Sequence, residues 1–183
     1  MSFFVRDTDA TVGDTLSGAQ DYLMREGVLV TDPNSPALAL TGNLADNSAL
    51  IAGTLFSDAA SEGALSLDRT DVSVTITPTG AVWGKDDGIF VAAAEATIDN
   101  AGTIHGDNFG VNARAAGESL SFLNSGQVTA DNFGLVLGGE NARVTNTGTI
   151  TASQDAISST PTADQPVHVI DNAGALRAGD WAI

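Results

Sequence analysis

The sequence predicts an all-β fold: a right-handed single-stranded parallel β-helix of about seven rungs, each 22 to 27 residues long. Three observations predict it. A short motif returns at nearly constant intervals. Apolar residues alternate at period two between the returns. Gly, Asn and Asp interrupt the alternation, and no helical period runs through residues 70 to 183.

The motif is Asn-x-Gly. Four copies are plain, ending at Gly102, Gly126, Gly148 and Gly174, and Pro78-Thr79-Gly80 keeps the frame without the asparagine. These glycines are spaced 22, 24, 22 and 26 residues apart. Two residues after each lies an aliphatic: Val82, Ile104, Val128, Ile150 and Leu176. Nine after lies another: Ile89, Val111, Leu135, Ile157 and Ile183. Four before lie Ile76, Ile98, Phe122, Val144 and Ile170. Tiny residues hold plus four (Gly84, Gly106, Ala130, Ala152, Ala178) and plus eight (Gly88, Gly110, Gly134, Ala156, Ala182). Length is expected to vary only between the plus-nine and minus-four strands.

A unit this short cannot bury its own apolar face, so units must stack, each strand pairing in parallel with its copy one turn away at roughly 4.8 Å. Seven turns make a rod of roughly 30 Å. The aliphatics then form interior ladders, and the tiny residues mark places where walls bend and come close. The glycines allow positive φ at the corners, and the asparagines tolerate the left-handed region and can bond their amides from turn to turn. Right-handed coiling is the default for parallel crossovers. The six-residue rhythm of a left-handed β-helix and the L-x-x-L-x-L-x-x-N of leucine-rich repeats are both missing.

One domain, residues 1–183, follows. Residues 1–26 are an N-terminal cap or first rung. "TLSGAQDYLMREG" suits a short capping helix, because Leu16, Leu23 and Met24 share a helical face, but the frame favours strands. Residues 27–79 hold irregular rungs, with Gly27 followed by Leu29 and Gly53 by Leu55, and Leu23 four before Gly27. Residues 80–183 hold the regular rungs. The sequence stops at "GDWAI" in mid-rung, so either more chain or another copy stacked end to end is expected there.

Composition narrows the function classes. With 7 Lys and Arg against 23 Asp and Glu, the formal charge is −16, which opposes nucleic acid and anionic membranes as partners. No apolar run approaches the ~20 residues of a membrane-inserted span. There are no cysteines, so disulfides do not staple the fold. The start lacks the basic and apolar regions of a standard signal peptide. Three readings stay open: a cytoplasmic protein, export by a route read from the C-terminal end, or a piece of a longer chain.

"ATIDNAGTIHGDNFGV" and "ARVTNTGTITASQDAI" resemble units of right-handed β-helices in large bacterial exoproteins. These are autotransporter passengers and adhesins, and the β-helical parts of haemolysin-type (RTX) calcium-binding proteins. The resemblance covers residues 72 to 183 well and the N-terminal third loosely. It implies an extracellular or cell-surface protein with a non-catalytic scaffold or adhesin-like role. The calcium nonapeptide of RTX proteins is missing: "GGENARVTN" lacks its third glycine and its aspartate.

Candidate sites fall on the frame. Asp107 and Asp131 share plus five on adjacent rungs. They suit a surface calcium site, with Asn108 and Asn132 adding oxygens, an acid pair, or simply two solvated turn aspartates with Lys85 offsetting one charge. Phe109, Phe133 and Trp181 share plus seven, suiting either a glycan-stacking strip or a structural aromatic ladder. Asp87 and Asp155 interrupt that column. His105 and His168 occupy different slots and read as surface or ladder residues. "SLDRTDV" reads as a solvated loop in which Asp68 and Asp71 balance Arg69. A carbohydrate-active β-helix enzyme with catalytic rungs outside this chain is the alternative function. Against it stand the regular rungs, the missing G-H-G, R-I-K and D-P-H-D motifs, and an acidic surface unsuited to acidic polymers. The longest insertion expected, 158 to 167, is short. The partners in view are a glycan or cell-surface ligand and a second copy at the end.

Overall fold

The computed structural model describes residues 2–42, 47–114, 119–159 and 168–183. It is a parallel β-solenoid, and no helix occurs among the described residues. The strands of the described residues form three walls. Wall A holds eight parallel strands, from Ser2–Arg6 to Val169–Asn172. Wall B holds seven, from Leu29–Asp32 to Ala175–Arg177. Wall C holds seven, from Asp14–Leu16 to Ile157–Ser159. These counts agree closely with the expected rung number. The stretch with a helical alternative contributes the strands Asp14–Leu16 and Gln20–Met24.

The core is a set of columns running along the axis. In wall B, Val30, Leu55, Val82, Ile104, Val128 and Ile150 stand in register and are all fully buried. In wall C the column is Leu38, Leu65, Ile89, Val111, Leu135 and Ile157. In wall A it is Val74, Ile98, Phe122, Val144 and Ile170. Period-two alternation explains this directly: one face of each strand points inward, and stacking gives each inward side chain a like neighbour above and below.

The register corrects the frame in three places. Val30, not Leu29, pairs with Leu55, and Leu29 faces solvent. A one-residue slip turns every side chain to the opposite face. In the same rung Tyr22 and Met24 point inward, rather than Leu23. Ile76 pairs with Asn100, not Ile98, so length varies at a second corner as well. Four residues, Thr77 to Gly80, join walls A and B there, where Ala101 and Gly102 suffice one rung on.

The frame glycines do not serve positive φ. Among described glycines only Gly27 and Gly42 lie there. Gly102, Gly126, Gly148 and Gly174 are required by stacking, because a Cβ on each would be driven into the carbonyl oxygen of the frame glycine one rung earlier. The frame asparagines are likewise ordinary strand residues rather than left-handed ones. Their amides do bond from rung to rung. Asn100 Nδ2 donates to Asn124 Oδ1, Asn124 to Asn146 and Asn146 to Asn172, each at 2.7 Å. Gly102 N closes the first end on Asn100 Oδ1 at 3.1 Å.

Arg69 is a further correction. Its side chain is buried, not solvated, and its guanidinium donates to the backbone carbonyls of Leu16, Gly18 and Thr41. Burial lowers its pKa. Among the described residues no ion pair joins it to Asp68 or Asp71. Most of the insertion expected at 158 to 167 lies outside the described residues.

Candidate functional site

The outer faces follow from the same registers. Asp107 and Asp131 occupy equivalent positions, shown by Asp107 N bonding Gly84 O at 3.1 Å and Asp131 N bonding Gly106 O at 3.3 Å. Both are exposed. Asp107 is tied to His105, whose Nε2 stands 3.2 Å from its Oδ1. Lys85, in the slot one rung earlier, pairs instead with Asp58, Nζ to Oδ1 at 2.9 Å. Among the described residues no three His, Asp or Glu side chains gather as a metal-holding group.

The plus-seven aromatics are brought together in part. Phe109 and Phe133 are in register and stack with centroids 5.5 Å apart. Phe109 is only 7% exposed and lies under the Arg114 guanidinium, 4.6 Å from its ring centroid. Trp181 stands two rungs beyond Phe133, with Asp155 between, and is exposed. Asp87, one rung before Phe109, is buried. Its Oδ2 accepts from Asn112 Nδ2 at 2.8 Å. Burial, followed by the charge of Asp86, pushes its pKa up to about 6 against the opposing effects of Asn112 and Arg114.

A second aromatic column does not stand out in the sequence frame. It lies on the outer face of wall B at plus three, where Phe56, Trp83 and His105 stand in register. Phe56 and Trp83 are 42% and 40% exposed. The Trp83 and His105 rings lie 4.8 Å apart, tilted by 44°, and His105 Nδ1 stands 2.9 Å from Thr129 Oγ1. Counting three from Gly53, Gly80 and Gly102 finds these residues. The signal was masked because the column passes into Thr129, Thr151 and Arg177.

This column lines an open groove of about 270 Å³ together with Asp58, Lys85 and Asp107. The groove continues past Phe56 and Asp58 into a second hollow beside Thr31 and Asp32. The arrangement offers flat apolar surface, carboxylate acceptors and one ammonium donor, all on rigid strands and their ends.

His168 is at the other end of the chain's frame. Its Nδ1 accepts from Ala142 N at 3.3 Å, and burial lowers its pKa. No protein-family model, no curated protein and no solved structure matches the chain.

Proposed function

We propose that this chain is a non-catalytic β-helical scaffold segment of a secreted or cell-surface exoprotein, adhesin-like and of the kind found in autotransporter passengers or RTX proteins. The observation that supports this reading is the unbroken register of three walls from the first strand to the last. Such a column is stiff, since each rung is bonded to its neighbours by backbone ladders and by repeated side-chain ladders. It holds outward side chains at fixed intervals of about 4.8 Å. Its mechanism is display at a distance rather than chemistry at a point.

The test is localisation in the organism that makes the protein. Intact cells are treated with a protease that cannot enter, and the chain is followed with an antibody. Loss of the signal, or recovery of the chain from the medium, is the expected result. A chain found only inside the cell and fully protected overturns the reading.

A further inference from the structure

We infer that the groove on wall B is a binding platform for a neutral hexose oligosaccharide lying along the solenoid axis. The inference deepens the display reading above by naming what the displayed surface would hold.

The argument begins with exposure. Phe56 and Trp83 are in register, and each leaves about two-fifths of its surface in water. The same slot on later rungs is filled by Thr129 and Thr151, so the fold does not require an aromatic there. Aromatic faces kept wet on rigid strands are suited to a ligand that is apolar on one face and polar at its edges. A pyranose ring is such a ligand: its axial C–H bonds make a flat apolar face, and its equatorial hydroxyls ring the edge.

Spacing fits as well. Successive rungs step by about 4.8 Å, roughly the length of one sugar ring in an extended chain. Phe56 and Trp83 therefore stand about one sugar length apart on neighbouring rungs, and the His105 ring, 4.8 Å from that of Trp83, backs the second.

Charge selects the class of sugar. In the charged slot of the groove the order along successive rungs is Asp58, Lys85, Asp107, negative, positive, negative, with Lys85 Nζ 2.9 Å from Asp58. A polyanion meets two carboxylates there, and a polycation meets the ammonium. A neutral polyol finds both acceptors and donors and carries no like charge.

Calorimetry of the purified chain with hexasaccharides of glucose, mannose, galactose and N-acetylglucosamine tests this. Saturable heat with at least one of them is expected. Trp83→Ala should weaken that binding about tenfold, and Phe56→Ala severalfold, with unchanged circular dichroism. Trp83→Phe keeps a stacking face and should retain most of the affinity, so it carries the test if the alanine variant does not fold. Trp181→Phe should leave affinity unchanged, and its one remaining tryptophan, Trp83, should change fluorescence on binding. No heat with any of the sugars, binding indifferent to Trp83 and Phe56, or tighter binding of polylysine or polygalacturonate overturns the inference. Failure here leaves the localisation result standing, because the two are read on different material.

Discussion

At one slot of wall A, Met24, Ile51 and Ile76 stand in register, and the next four rungs continue the same column as Asn100, Asn124, Asn146 and Asn172. The early rungs fill the position with hydrocarbon, and the later ones with an amide chain. The contrast extends to the buried charges. Among the described residues Asp14, Asp21, Asp32, Arg69 and Asp87 are all buried, and none lies beyond residue 87. Each has its own local solution. Asp14 accepts from Tyr22 Oη at 2.8 Å and pairs with Arg6. Asp32 accepts from the backbone N–H groups of Gly13, Asn34 and Ser35, which holds its pKa below the usual carboxylate range. The later rungs repeat one neutral bond instead. A repeated ladder needs only identical neighbours, so it can be extended by duplicating a rung. A buried ion needs a dedicated partner, so it fixes one rung to one place.

The comparison is broken most severely by exchanging the two chemistries. Ile51→Asn buries an amide between Met24 and Ile76, where no ladder partner exists, and gives up the packing of a fully buried side chain. We expect a loss of about 4 kcal/mol. Asn124→Leu is the reverse exchange. It removes the acceptor of Asn100 Nδ2 and the donor to Asn146 Oδ1 in one step, and we expect a loss of about 3 kcal/mol. Denaturant unfolding of both variants measures this. If either exchange is nearly neutral, the slot is permissive and the two halves do not differ in kind.

The next effect sharpens what the glycines do. Gly126→Ala drives a Cβ against the backbone of Gly102, and backbone cannot rotate away. The expected cost is about 3 kcal/mol. Gly18, in an early turn, has open space where a Cβ would go and no positive φ. Gly18→Ala should change stability by less than about 1 kcal/mol, with a gain favoured by the lower entropy of the unfolded chain. Thermal melts of the two variants separate a stacking requirement from a turn preference.

That distinction also explains what the sequence made legible. The recurring glycines, aliphatics and asparagines revealed the solenoid and the amide ladder, because stacking forces like residues into like places. The role of the glycines was not legible, since crowding between rungs leaves the same mark in a sequence as positive φ. Register failed at Leu29 and Ile76, where a corner gains or loses residues and no repeated residue records it. The site was harder still. Phe109 and Phe133 drew notice because they repeat, yet Phe109 is buried. Phe56 and Trp83 are exposed, but they differ from each other and from the rest of their column, so a search for repetition passed over them. Residues that depart from the repeat leave no period for the sequence to show.

Asp87 lies where the two regimes meet. Among the described residues it is the last buried carboxyl, and it stands beside the stacked Phe109–Phe133 pair. Its Oδ1 is buried and makes no hydrogen bond. With a pKa near 6 in the folded chain, against an ordinary value of 3.8, the folded state holds the proton more tightly than the unfolded one. This contribution to stability is complete below the unfolded value and is lost as pH rises through about 6. Asp87→Asn removes the ionisation and keeps an amide of similar shape. The variant should therefore be more stable than the parent by about 2 kcal/mol at pH 8, with the difference shrinking as pH falls toward 4. Paired denaturation curves across that range cancel the many other carboxylates, which the two proteins share. The opposite outcome, a variant less stable at pH 8, would mean that Arg114 and Asn112 stabilise the charged form. Asp87 would then belong with Asp14 and Asp32 as a partnered ion of the early rungs. The expected outcome instead makes it a buried carboxyl in a place that the next two rungs fill with Phe109 and Phe133.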